Sequence, residues 1–222
     1  MSQKIKRKQT IGEEIANGVS HGSMAIFGIV AMVLMLLKAS TGWEVFASIV
    51  FGTSIFMLYT MSTLYHSLSF TKAKGIFKRF DHISIYILIG GTFAPALLLL
   101  PSLRSSYLLG LTFIDKGLLL FIIQWTLIGI GVVFKSIWVY KFKSIHLMCY
   151  LLLGWSSVLF IVDLYSFSIP AFWLILTGGI SYSLGVIFYT MSSKIKYFHF
   201  VWHIFVAIGT ILQFLAIYIY II

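Results

Sequence analysis

Apolar stretches of roughly 18 to 25 residues recur along the whole chain, each long enough to carry a helix across a hydrocarbon layer of about 30 Å. Backbone amides in lipid find no water to bond, so segments of this length cross as helices whose hydrogen bonds close within the segment. A membrane barrel would instead show short strands of alternating polarity, and the sequence has none. With 60% hydrophobic and only 10% charged residues, the chain lies outside the range of soluble globular domains. The hydropathy pattern predicts seven spans, at 18–37, 45–68, 82–100, 117–134, 145–162, 171–191 and 198–222. The expected fold is an all-α membrane protein, a single seven-transmembrane-helix bundle over 1–222 with a short basic tail at 1–17. Connections of about 4 to 16 residues leave no room for another folded domain.

The charges sort by side. Lys4, Lys6, Arg7 and Lys8 in the tail, Lys72, Lys74, Lys78 and Arg79 after the second span, Lys135, Lys141 and Lys143 after the fourth, and Lys194 and Lys196 after the sixth hold 13 of the 16 cations. Lys38, Arg104 and Lys116 lie on the other side. Positive loops stay in the cytoplasm, so the amino terminus is expected inside and the carboxy terminus outside the cell membrane. This distribution also accounts for the net charge of +10 without nucleic acid as a partner; membrane lipids are the expected partners, and the sequence names no protein partner. The basic start resembles a signal peptide, but the apolar run is long and follows Glu13 and Glu14, which fits an uncleaved first span. The single cysteine, Cys149, rules out an internal disulfide framework and a thiolate metal cage. Gly18 and Gly22 form a GxxxG pair, Pro95 follows Gly90-Gly91 inside the third span, and the apolar piece 107–113 is expected to lie in the interface or to be partly re-entrant.

Five polar residues fall at the same end of long apolar segments. His199 and His203 open the seventh span four residues apart, and Ser62 and His66 close the second with the same spacing, so each pair shares one helical face. Asp81 and His82 are expected in the first turn of the third helix, on the same side. Ionisable groups inside hydrocarbon are costly and face a polar interior. One hydroxyl, one carboxylate and three imidazoles converging there read as a metal site. Zinc is the natural candidate, since three imidazoles and a water satisfy its tetrahedral preference, while iron and manganese remain open by ligand type. Glu14, Asn17 and His21 stripe one face of the first helix at the same end, where capping and packing compete with a role in orienting a ligand. His146 has no partner at helical spacing and reads as structural.

These motifs resemble the hemolysin III family, the bacterial branch of the progestin and adiponectin receptor superfamily. They are Glu14-x-x-Asn17-x-x-x-His21, Ser62-x-x-x-His66, Asp81-His82-x-x-Ile85 running on to Gly91-Thr92-Phe93-Ala94-Pro95, and His199-x-x-x-His203, so the resemblance spans nearly the whole chain. It implies seven helices with a cytosolic amino terminus, zinc held by His66, His199 and His203, and Asp81 acting on a metal-activated water. A wider similarity to alkaline ceramidases, with one serine, one aspartate and three histidines, points to hydrolysis of a lipid amide. Adiponectin receptors carry a longer cytosolic segment than this chain, so a hormone-receptor function does not carry over.

The leading expectation is a zinc-dependent intramembrane hydrolase of a lipid-like amide or ester substrate. Asp81 would accept a proton, and Ser62 would hydrogen-bond the developing oxyanion or orient the water; His82 is grouped with Glu14, Asn17 and His21 as a residue behind the ligands, and whether it competes with Asp81 for the water stays open. A pore-forming, cytolytic protein and a sensor of membrane homeostasis, each with structural zinc, are the alternatives.

Overall fold

Threonines start the first two helices. Thr10 and Thr41 each accept a hydrogen bond from the amide three residues on, while Glu13 and Glu44 bond back to the cap amides, giving two complete capping boxes. In the computed structural model, which describes residues 7–108 and 110–222, they open α1 (Ile11–Lys38) and α2 (Gly42–Ser67). Next come α3 (Lys74–Leu99), α4 (Lys116–Ile137), α5 (Lys143–Phe167), α6 (Ile169–Met191) and α7 (Phe198–Ile221). Asp115 and Ser168 cap α4 and α6 through their side chains. Phe142 and Tyr197, both at positive φ, turn the chain into α5 and α7. All seven helices are long and apolar enough to cross a membrane, and the chain is a multi-pass membrane protein.

Three features depart from the expected pattern. Helix α3 begins at Lys74, so Asp81 and His82 sit about two turns inside it rather than in its first turn, deep enough for Asp81 to be buried. A short helix, Pro101–Arg104, precedes the 107–113 piece, whose described residues form turns with Tyr107 and Phe113 exposed; of the two expected arrangements, the re-entrant one is not formed. Helix α5 is interrupted: it tightens into a 3₁₀ turn over Trp155–Phe160 and resumes at Ile161. Lys4 and Lys6 of the basic tail lie outside the described residues.

Packing runs in sequence order from α1 to α4 and again between α6 and α7, and α7 returns to close against α1. Helix α3 is the centre, with 67% of its most apolar window buried against 11% for α5. Residues of α5 therefore face lipid on one side and, on the other, a cavity next to α3. Without a hydrophobic drive between helices in lipid, close approach of small residues carries the packing. A Cβ on Gly52 would collide with Met32 of α1, and one on Gly91 would collide with Ser54 of α2. Gly18 and Gly22 face Ser67 and Thr63 of α2, so that GxxxG pair packs within the chain. Midway along the helices, Thr210 of α7 hydrogen-bonds the hydroxyls of Tyr59 and Tyr182 at 2.8 and 2.9 Å, tying α2, α6 and α7 together.

Ion pairs mark the two ends of the bundle. Arg7–Glu13 at 2.6 Å and Lys74–Glu14 at 2.8 Å lie at the amino-terminal end. Arg104–Asp115 and Lys116–Asp163 lie at the other. Replacing Gly52 with leucine should drive α1 from α2, costing about 1–3 kcal/mol and lowering the melting temperature of detergent-solubilised protein by roughly 5 °C; an unchanged melting curve would contradict this packing.

Candidate metal centre

Helical spacing delivers the donors. His66 lies in the last turn of α2, and His199 and His203 in the first two turns of α7, so both helices present imidazoles at the amino-terminal end of the bundle. One ligand atom from each of these three residues lies within 4.8 Å of those from the other two. Their ring centroids are 4.7 to 5.1 Å apart. His66 and His203 are buried; His199 is partly exposed, yet its Nε2 is not.

A carboxylate orients His66. Its Nδ1 lies 2.7 Å from Glu14 Oε2, so the carboxylate engages the outer ring nitrogen and leaves Nε2 without a hydrogen-bond partner. Glu14 is itself held by Lys74, whose Nζ lies 2.8 Å from Oε1. His203 Nδ1 lies 3.3 Å from Ser20 Oγ. Neither contact reaches the inner nitrogens. Nε2 of His66, His199 and His203 has no hydrogen-bond partner, nor do both ring nitrogens of His21, Asn17 Oδ1 and Ser62 Oγ. Buried polar atoms are nearly always bonded, so such a concentration of orphaned donors and acceptors marks a place built for a ligand. The donor set suits a borderline metal cation with nitrogen preference.

His21 of α1 is an aromatic neighbour of the cluster. Its ring stacks on His203 with centroids 3.5 Å apart and 12° between planes, and it meets Tyr59 edge-on. Asn17, one turn earlier, donates from Nδ2 to Gln9 Oε1 at 3.2 Å. Asp81 is buried on α3 beside the site, with Oδ2 3.2 Å from His82 Nδ1, and within electrostatic reach of His21, His66 and His199. Ser62 is buried one turn before His66. His146 packs away from the cluster, its Nδ1 2.9 Å from Tyr86 Oη.

Some contributors had no signal in the sequence or went unread. Glu13 accepts from Arg7 and from the backbone amide of Tyr197, so it pins the turn that launches α7 and its two histidines. The Thr10-x-x-Glu13 capping box was the available clue to its placement. Lys74 reaches the site from the start of α3 and Ser20 from α1, one position off the Glu14-Asn17-His21 stripe, and their spacing says nothing of partners.

An apolar cavity of about 170 Å³ opens beside the cluster. His21, Asp81, His82 and His199 form its polar end, and it extends between α3, α5, α6 and α7 toward Leu164, Phe172 and Gln213. The distance from His199 to Gln213 along α7 is roughly 21 Å at 1.5 Å per residue.

Comparison with known proteins agrees with this architecture. A family model described as "Haemolysin-III related" matches residues 9–214. The chain is similar to "Hemolysin-3" of Bacillus cereus, at 38% identity over 100% of this chain and 98% of the relative, and to the "Hemolysin-3 homolog" of Bacillus subtilis, at 37% over 95% of each. The human "Monocyte to macrophage differentiation factor" is 27% identical over 96% of this chain and 86% of its own length. No solved structure matches. With seven membrane helices, a three-histidine cluster and a family match over nearly its whole length, the chain belongs to the haemolysin-III-related family.

Proposed function

We propose that this protein is a zinc-dependent intramembrane hydrolase of lipid-like amides or esters. The observation that carries the reading is the set of three mutually close imidazoles, each with an unpartnered Nε2, beside a buried carboxylate and at the mouth of an apolar cavity. His66, His199 and His203 would hold the metal through Nε2. Three neutral imidazoles leave one tetrahedral position open, the arrangement of catalytic rather than closed structural zinc sites. When bound, the metal supplies Lewis-acid chemistry, making a water acidic near neutral pH and polarising the substrate carbonyl.

The protein groups do the rest. Glu14 accepts from His66 Nδ1 and so fixes that ring's orientation and raises its basicity. Asp81 takes the proton from the attacking water and returns it to the leaving amine or alcohol as the C–N or C–O bond breaks, leaving a carboxylate product. Ser62 donates its hydroxyl to the oxygen on which charge develops. His82, bonded to Asp81, holds that carboxylate in place. The cavity receives the acyl chain and keeps bulk water from the reacting carbonyl.

Metal analysis separates the roles. Zinc-loaded wild-type protein should hold one zinc per chain, His66→Ala and His203→Ala almost none, and Glu14→Gln should bind about 10- to 100-fold more weakly. Asp81→Asn should keep its zinc and lose about 10²- to 10⁴-fold in turnover of a long-chain amide. Full zinc in His203→Ala would remove the ligand assignment.

The names of the two Bacillus relatives favour a second reading, membrane damage with zinc as a structural staple. Conductance of the purified protein in lipid bilayers, unaffected by Asp81→Asn, would decide for it.

A further inference from the structure

Helix α4 ends with a lysine that its surroundings do not neutralise. Lys135 is 2% exposed and lines the same cavity as Asp81, His82 and His199. Among the described residues it has neither a hydrogen bond nor an ion pair. Its side chain is buried to the cavity wall and its ammonium has no ion pair there, a charge that native proteins usually pair or give a ligand. The charges acting on it from the neighbouring elements are mostly of its own sign: Lys143 of α5, Lys78 of α3 and, of opposite sign, Asp81, which is already bonded to His82. Lys143 and His146 line the cavity as well, and the first turn of α5 has no side-chain cap, so its helix end adds positive potential. The rest of the cavity wall is mostly apolar, with scattered hydroxyls such as Thr92, Ser157 and Ser183, over the length of several helical turns.

We propose that this cavity takes an acyl lipid with an anionic head group, carboxylate or phosphate, seated against Lys135 with its chain running between α3, α5 and α6. This deepens the hydrolase reading by naming its substrate class: the negative group fixes the lipid end-on, which places a carbonyl a few bonds away beside Asp81 and the histidine cluster. Lys135 is then a specificity-determining residue and takes no part in bond breaking.

The test uses the full chain in zwitterionic nanodiscs, stripped of metal with a chelator so that binding is read apart from hydrolysis. cis-Parinaric acid and its methyl ester, which share a fluorescent chain and differ in charge, serve as probes. The acid should bind about tenfold or more tightly than the ester. Lys135→Met should abolish that preference with ester affinity within about twofold of wild type, and Lys135→Arg should retain it. Should the methionine variant lose ester binding through misfolding, Lys135→Gln is read by the same criterion. Lysophosphatidic acid should displace the acid, whereas monoacylglycerol and inorganic phosphate should not; displacement by inorganic phosphate as strong as by lysophosphatidic acid would overturn the lipid assignment. Equal affinity of acid and ester for the wild type, or a preference surviving in Lys135→Met, would overturn the proposal. Turnover of neutral amides without acid preference would leave the hydrolase standing and remove this inference, whereas acid preference without any turnover would do the reverse.

Discussion

A polar group within a membrane bundle must find a partner inside the protein, because lipid offers none. That constraint organises the amino-terminal end of this molecule. Glu13 and Glu14 would be liabilities at the start of an apolar helix, yet one is tied to Arg7 and to the turn before α7, and the other to His66 and Lys74. The two carboxylates thereby join α1 to α2, α3 and the α6–α7 turn. The first helix is thus less a membrane anchor than the clamp that aligns the histidines of its neighbours.

The same constraint makes the unbonded atoms informative. Elsewhere along the helices, hydroxyls such as Thr63 and Thr92 donate back to their own helix, and Thr210 is shared between two tyrosines. At the cluster, seven buried side-chain nitrogens and oxygens among the described residues stay without partners. Thr60, Gln124 and Trp125 also leave a polar atom unbonded farther along the helices, but the seven here are gathered round three mutually close imidazoles, the pattern expected of a ligand site. The stacking of His21 on His203 covers one side of the site with a ring rather than with an additional donor bond.

The uneven burial of the helices gives this site its access. Helix α3 is packed on most sides, whereas α5 is mostly exposed and broken by a 3₁₀ turn at Trp155–Phe160. Between the sparsely covered α5 and the well-covered α3 lies the apolar cavity that meets the cluster at Asp81, His82 and His199.

Seven spans, short connections and the pairing of His199 with His203 and of Ser62 with His66 were legible in the sequence, because length, hydropathy and the 3.6-residue repeat act locally along one helix. Asp81 was read as belonging to the site, but its depth was not, since the start of α3 at Lys74 depends on a polar turn that hydropathy does not delimit. Which ring nitrogens stay free, the grip of Glu13 on Tyr197 and the isolation of Lys135 are relations between helices far apart in the chain. Spacing along one helix fixes which residues share a face; only the packing of seven helices decides which faces meet, and so only the tertiary structure brought three imidazoles to within 4.8 Å of one another and placed Lys135, without an ion pair, on the wall of the adjoining cavity.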